Sequence, residues 1–340
     1  MVPRLLRIRV LLAVAITTLA LVVSGCAGLA SGGAEEGTIR YQGSAGSVNV
    51  LELADALGYL DGVELGKVGD VTGGPEALRA LASRQVDIAI SPFFGATAQL
   101  VATGAPLKAV VSTYGSSGDI SSSVVVLEGS EVASARDLIG RKVAVNTLGA
   151  NAEAVLATWF DQEGLSQEEI EEVTLVPLPP LNMEQALREG QVDAAYLSIG
   201  GLTNARKQGG VAEIMKDTDV VGPYNGGGSV MTEKFLDEHP DTATTVVTGI
   251  ARAVEYVESH ERDEVLAVYH DWLVEQGYED AYEAVESAWP GSTGVPSEHA
   301  QISDTDISLW LDWLGSRGDV DPDDIEPGDV YTNEYNLEAK

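Results

Sequence analysis

One pattern is written twice in this chain of 340 residues. Ala77-Leu78-Arg79 is followed by Gln85-Val86-Asp87-Ile88-Ala89, and Ala186-Leu187-Arg188 is followed by Gln191-Val192-Asp193-Ala194-Ala195. The two Val-Asp pairs stand 106 residues apart (192 − 86), and each follows a stretch of helical period and opens an apolar run. That succession is the sequence form of a helix returning to a buried strand. Two copies, with the order of surrounding elements repeated as well, predict two similar lobes. A stacked array would need three or more units.

Around the first copy the pattern predicts strands at 38–41, 63–68, 87–90 and 107–114, alternating with helices at 47–58, 75–83 and 94–103. Around the second it predicts strands at 142–146, 173–176 and 193–197, with helices at 152–163 and 183–189. Such alternation belongs to α/β layers. After about Thr232 the chain reads as mostly helical, with Trp272, Trp289, Trp310 and Trp313 set among acidic residues.

Composition narrows the function. With 20 Lys and Arg against 53 Asp and Glu, the formal net charge is −33, and no basic run occurs outside the extreme N-terminus, so nucleic acid is excluded as a partner. A hydrophobic fraction of 44% is ample for a packed core. The single cysteine rules out an intrachain disulfide, a Cys-rich zinc site and an iron–sulfur cluster. Catalytic constellations are missing too. His260-Glu261 opens like a zincin helix but has no second histidine four residues later, and neither a Gly-x-Ser-x-Gly elbow nor a phosphate-binding Gly-Lys loop occurs. Asp323-Asp324 lies in a Pro- and Gly-punctuated tail and reads as surface charge.

Arg4, Arg7 and Arg9 precede an apolar stretch at 10–23, which is too short to span a bilayer as a standard helix. Residues 1–25 therefore read as a secretory signal peptide. Val23-Ser24-Gly25-Cys26 resembles a bacterial lipobox, making Cys26 the lipidation site and the mature N-terminus. Residues 26–37, rich in Gly, Ala and Ser, read as a lipidated tether. The expected location is outside the cell, anchored by lipid to the outer face of the cytoplasmic membrane.

The fragments Gly74-Pro75-Glu76-Ala77-Leu78, Val86-Asp87-Ile88-Ala89-Ile90 and Gly104-Ala105-Pro106-Leu107-Lys108-Ala109-Val110 carry a family resemblance. So do Asp137-Leu138-Ile139-Gly140-Arg141-Lys142-Val143-Ala144-Val145-Asn146, Met183-Glu184-Gln185-Ala186-Leu187 and Gly190-Gln191-Val192-Asp193-Ala194. Together, in this order, the chain resembles the substrate-binding proteins of ABC importers, in the family that serves nitrate, sulfonates, taurine and thiamine precursors. The resemblance implies a type II periplasmic-binding-protein-like α/β fold, two lobes joined by a two-segment hinge. Lobe I is expected at 38–120 and 228–340 and lobe II at 121–227, with hinge crossings near 121–127 and 219–229. Gly226, Gly227 and Gly228 are read there as conformationally permissive. A relative in that family, a thiamine-pyrimidine synthase, uses a lysine-bound cofactor and a cysteine-rich stretch. This chain lacks that stretch, so no cofactor, no metal and no enzymatic activity are expected. The implied partners are a small-molecule ligand and the permease and ATPase subunits, and the protein is expected to be a monomer.

Ligands of open α/β sheets bind beyond the carboxyl ends of strands, where loops enter helix N-termini. Three turns qualify: Gln42 and Ser44 after the opening strand, Ser91 and Phe93 after the first Val-Asp strand, and Thr147, Gly149, Ala150 and Asn151 in the second half. Backbone N–H groups there favour an anion such as a sulfonate or nitrate. The competing role for Asn151 and Ser47 is helix capping. Tyr114, Tyr196 and Tyr224 sit at or past strand ends, where rings can wall a cleft. Those rings, and the shortage of cations, suit a neutral heterocycle such as a thiamine pyrimidine precursor equally well. A lipid-anchored sensor uncoupled from transport is the other alternative.

Overall fold

The computed structural model describes residues 37–340 except Ala45 and Pro322. The expected signal peptide, Cys26 and nearly all of the tether lie outside the described residues. In chain order the first run is β1 (Thr38–Gly43), α1 (Val50–Ala56), β2 (Glu64–Asp70), α2 (Gly74–Ala82), β3 (Ile88–Ala89), α3 (Phe94–Ala102) and β4 (Leu107–Ser116). The second run is β5 (Ser123–Leu127), β6 (Lys142–Val145), α4 (Asn151–Gln162), α5 (Gln167–Glu171), β7 (Thr174–Pro177), α6 (Pro180–Arg188), β8 (Ala194–Leu197), α7 (Ile199–Gln208), β9 (Val211–Lys216) and α8 (Asp217–Val221). The chain then returns through β10 (Tyr224–Thr232) to α9 (Glu233–Glu238), α10 (Pro240–Ser259), α11 (Arg262–Gln276), α12 (Tyr282–Ala288), α13 (Asp304–Arg317) and α14 (Pro327–Val330).

The second lobe holds one five-stranded sheet in the order β7-β6-β8-β5-β9. Strands β6, β7 and β8 run parallel, whereas β5 is antiparallel to both of its neighbours. The first lobe repeats this plan in two ladders, β1-β2 parallel and β3-β10-β4 antiparallel. The Asp87 N–H donates to the Arg40 carbonyl at 2.9 Å, which lays β1 beside β3 and completes the order β2-β1-β3-β10-β4.

The duplicated Val-Asp pair explains why the two plans agree. In the first lobe the Arg40 N–H donates to Asp87 Oδ2 at 2.9 Å, and the Asp87 N–H returns to Arg40. In the second lobe the Lys142 N–H donates to Asp193 Oδ2 at 2.9 Å, and the Asp193 N–H returns to Lys142 at 2.9 Å. Each aspartate thus clips the strand it opens to a neighbouring strand, β1 in the first lobe and β6 in the second, and satisfies backbone donors that an incoming loop would otherwise leave unpaired. The valines before them, Val86 and Val192, are buried.

Two expected boundaries move. Ser123–Leu127 is no crossing segment but β5, packed between β8 and β9, because its Val-rich run suits a strand buried on both faces. Residues 117–122 connect β4 to β5. The return is over by Tyr224, which already pairs with Ser116 of β4, so residues 224–227 lie in the first lobe's sheet. Gly226, Gly227 and Gly228 sit inside β10, where they provide room rather than a flexible joint. A Cβ on Gly227 would lie 2.4 Å from the Tyr114 ring, and one on Gly228 would lie 2.1 Å from the Val111 carbonyl oxygen.

The C-terminal helices cover the first lobe. Helix α13 starts at a Ser303–Asp306 capping box, ends at Gly318 in the left-handed region, and buries Trp310 completely against Phe93, ring centroids 4.8 Å apart. From this cover two contacts reach the second lobe: Arg317 Nη1 to Glu153 Oε1 at 2.6 Å, and Lys207 Nζ to the Ser287 carbonyl at 3.0 Å. Among the described residues no helix is long and apolar enough to cross a membrane.

Candidate functional site

A cavity of about 350 Å³ lies between the lobes. Its lining is organised by helix starts: Gly73 and Gly74 at α2, Phe93 at α3, Ala150, Asn151 and Ala152 at α4, and Ser198, Ile199 and Gly200 at α7. The N-cap positions of these helices are Gly73, Phe93, Ala150 and Ser198; the first three offer no side-chain acceptor, and Ser198 makes no capping hydrogen bond. Helices α5, α9 and α13 are capped by Ser166, Thr232 and Ser303, while α6, α8, α10, α11 and α12, whose N-caps do not line the cleft, also lack a side-chain cap, so it is convergence on one space that sets the four apart. The cleft helices therefore bring first-turn N–H groups and the positive ends of their dipoles toward one space without an internal acceptor from the cap. Glu76 and Glu153 reach back instead to the N–H of the residue four earlier, Thr72 at 3.0 Å and Gly149 at 2.9 Å, and neither lines the cleft.

No Lys, Arg, His, Asp or Glu occurs among the described lining residues. The ionisable groups are the phenols Tyr114, Tyr196 and Tyr224. Burial pushes all three above the ordinary tyrosine range, and the nearby Tyr224 and Asp217 add to the shift at Tyr196, so each remains a neutral hydroxyl. Phe93 and Trp289 add apolar wall, and Trp310 backs both Phe93 and Tyr224.

Behind this wall lies Asp217, fully buried where the chain leaves β9. It accepts from the Ser116 hydroxyl at 2.6 Å, the Ser122 N–H at 3.1 Å and the Thr218 N–H at 2.8 Å, and its Oδ2 lies 3.1 Å from the Tyr224 hydroxyl. Desolvation outweighs these bonds and holds its carboxyl above the usual range. Tyr224 is also 3.1 Å from Asn151 Oδ1, which Tyr196 approaches at 3.4 Å.

The cleft gathers Ser44, Ser91, Phe93, Tyr114, Ala150, Asn151, Tyr196 and Tyr224. Gln42, Thr147 and Gly149 lie outside its lining. Gln42 belongs to β1, while Thr147 sits at the lip, its Cγ2 3.2 Å from where a Cβ on Gly73 would stand. The Gly149 N–H is committed to Glu153. Asn151 is the first residue of α4 rather than its cap, and α1 is capped by Asn49 rather than Ser47, with Asn49 Oδ1 accepting from Leu51 N–H at 3.0 Å.

Sequence reasoning missed Gly73 and Gly74, although they open a helix by the same rule, and Ser198 to Gly200, which follow β8 just as Ser91 follows β3. Trp289, Pro290, Ser292 and Thr293 come from the C-terminal third and carry no local signal of a cleft. Away from the cleft, Glu255, His299 and Glu338 place ligand-type atoms within 4.8 Å of one another. His299 Nδ1 is bonded to Glu255 and Glu338 to Arg252 at 2.7 Å, so these groups already satisfy each other.

A family model described as NMT1/THI5 like matches residues 52–263. No curated protein matches the chain in sequence. Among solved structures, the periplasmic aliphatic sulphonate binding protein SsuA from Escherichia coli is similar with a TM-score of 0.63 at 19% identity, covering 89% of this chain and 94% of that one. The periplasmic nitrate-binding protein NrtA from Synechocystis PCC 6803 gives 0.64 at 12% identity, covering 88% and 87%. The desulfurization enzyme DSZB gives 0.55 at 14%, covering 88% and 96%. At these identities the likeness is one of fold: two α/β lobes of periplasmic-binding-protein type around a cleft.

Proposed function

The chain belongs to the NMT1/THI5 like family, and from that premise we infer that it is the extracytoplasmic solute-binding component of an ABC importer, holding a small anion such as a sulfonate or nitrate between its lobes. One observation carries the anion: four helix N-termini without side-chain caps converge on a cleft whose described lining has no charged side chain. An anion there completes hydrogen bonds and meets the positive dipole ends without the desolvation cost of a buried lysine or arginine. The neutral tyrosine hydroxyls and the Phe93 and Trp289 rings fit the rest of a small organic molecule.

The crossings at 117–122 and 217–223 act as the hinge. Ligand touching both lobes binds the closed form better, and closure follows only from that difference in affinity. The closed form then docks on a permease driven by ATP hydrolysed on another subunit. Binding rather than catalysis is the reading, because the lining offers hydroxyls and amides with no acid, base or metal ligand set among them. Cys26 carries the lipid that keeps the monomer at the outer face of the membrane. Replacing it by Ala should move the protein from the membrane fraction to the soluble fraction.

A thermal-shift panel of alkanesulfonates, nitrate, aromatic carboxylates and neutral pyrimidines tests the ligand class. Ligand at 100 times its Kd should stabilise by about 2.7 kcal/mol. A response confined to the pyrimidines would end the anion reading, and ligand recovered chemically altered would end the binder reading.

A further inference from the structure

The proton count around Asp217 does not close in one way only. Tyr224 has a single hydroxyl proton and two oxygens at 3.1 Å, Asp217 Oδ2 and Asn151 Oδ1. An ionised carboxylate only accepts, so it takes that proton and leaves the Tyr224 oxygen facing Asn151 with a lone pair. Amide oxygen and nitrogen are nearly the same size, and the surrounding bonds decide which way an asparagine turns. Opposite a bare oxygen, Asn151 is better served with its N–H toward Tyr224 and its carbonyl where the amide nitrogen stood, and the Tyr196 hydroxyl, now 3.4 Å from Oδ1, then accepts from the amide instead of donating to it.

A protonated Asp217 reverses the chain. Its O–H donates to Tyr224, Tyr224 donates to Asn151 Oδ1, and the Asn151 amide nitrogen is left over. In the structure Asn151 is turned as in this second arrangement: Oδ1 faces Tyr224, and Nδ2, at the first position of α4 and at the cleft, is buried with no partner among the described residues. One state of Asp217 gives the cleft a donor and the other an acceptor. Only the donor suits an anion.

The position of the carboxyl supports the coupling. Ser116 and Tyr224 come from the first lobe's β4 and β10, and Ser122 and Thr218 from the second lobe's side of the two crossings. Asp217 forms no ion pair among the described residues and is fully buried, so its charged form carries a desolvation cost that a partner cation does not offset. The titratable groups that face it are Tyr224 from β10 and Tyr196 from β8, both held neutral, while α4 presents Asn151. On its own helix Asp219 is exposed.

Resting on the anion reading above, we propose that Asp217 is a positioning residue that acts through Tyr224 to set the orientation of Asn151, and that the cleft takes up a proton at Asp217 when an anion binds. Affinity is then full below the pKa of Asp217 in the free protein and falls as pH rises through it, by about tenfold per unit at its steepest, levelling off above the pKa of the anion-bound form.

The test uses the full chain in mild detergent, with ethanesulfonate and nitrate as probes and a pH-indicator dye in weakly buffered solution. Uptake of about one proton per bound anion is expected near the middle of that window. Tyr224→Phe, which keeps the ring and cuts the relay, should abolish the uptake and flatten the dependence of Kd on pH while the melting temperature of the free protein stays high. Asp217→Asn should flatten it as well. Anion binding with no proton uptake at any pH overturns this proposal and leaves the anion reading standing. A Tyr224→Phe protein with unchanged uptake also overturns it. Failure of both anions to bind at any pH, while a neutral pyrimidine does, overturns the two together.

Discussion

The same clip closes both lobes, yet it stands in two different environments. Asp87 has a side chain 7% exposed and pairs with Arg40 through two bonds, at 2.9 and 2.7 Å; Asp193 is 33% exposed and reaches Arg141 at 3.3 Å. The backbone geometry around each is the same. The repeat thus encodes a connection, and its energetic worth is decided by what covers it. The first lobe lies under the C-terminal helices, whereas the second is covered by its own short ones.

If cover sets the energy, Asp87→Ala should cost about 3 kcal/mol in denaturant unfolding, toward the low end for a buried pair because Arg40 still reaches water. Asp193→Ala should cost about 1 kcal/mol. Equal losses would break the comparison. A second contrast uses glycine. Gly228→Ala drives a methyl into the Val111 carbonyl and should cost about 1–3 kcal/mol. Gly149→Ala in the second lobe meets open space but has φ near +69°, and should cost about 1 kcal/mol, read as a smaller fall in melting temperature. The smallest effect belongs to the bridge between the lobes. Arg317→Ala removes the contact to Glu153 and should change stability by less than about 1 kcal/mol. Since that contact joins the lobes, a weakened Kd for the bound anion should accompany it, and an unchanged Kd would show that the bridge is not part of closure.

Most of the architecture was legible because it rests on local patterns. The β1, β3, β4, β6 and β8 strands and the α2, α3 and α4 helices fall within a few residues of their expected places, since period and apolar runs mark them directly. Strand β5 was misread as a crossing, because whether a Val-rich segment joins a sheet depends on partners, β8 and β9, that lie far along the chain. The cleft was legible wherever a loop leads from a strand into a helix, as at Ser91, Phe93 and Asn151. It was illegible where the chain supplies wall from the far C-terminus, as at Trp289 and Thr293. Asp217 had no sequence signal at all: nothing local says that an aspartate after an ordinary strand will be surrounded by groups from β4, β10 and the segment before β5.

The second lobe's sheet is drawn from one continuous stretch, 123–216, while the first lobe's sheet waits for β10, which arrives only at 224–232. A chain delivered from its N-terminus therefore completes the second lobe first. Until then β3 and β4 have no strand between them, and their apolar edges stand open to pairing with other chains. The half whose strands begin first is thus the last to have its sheet complete.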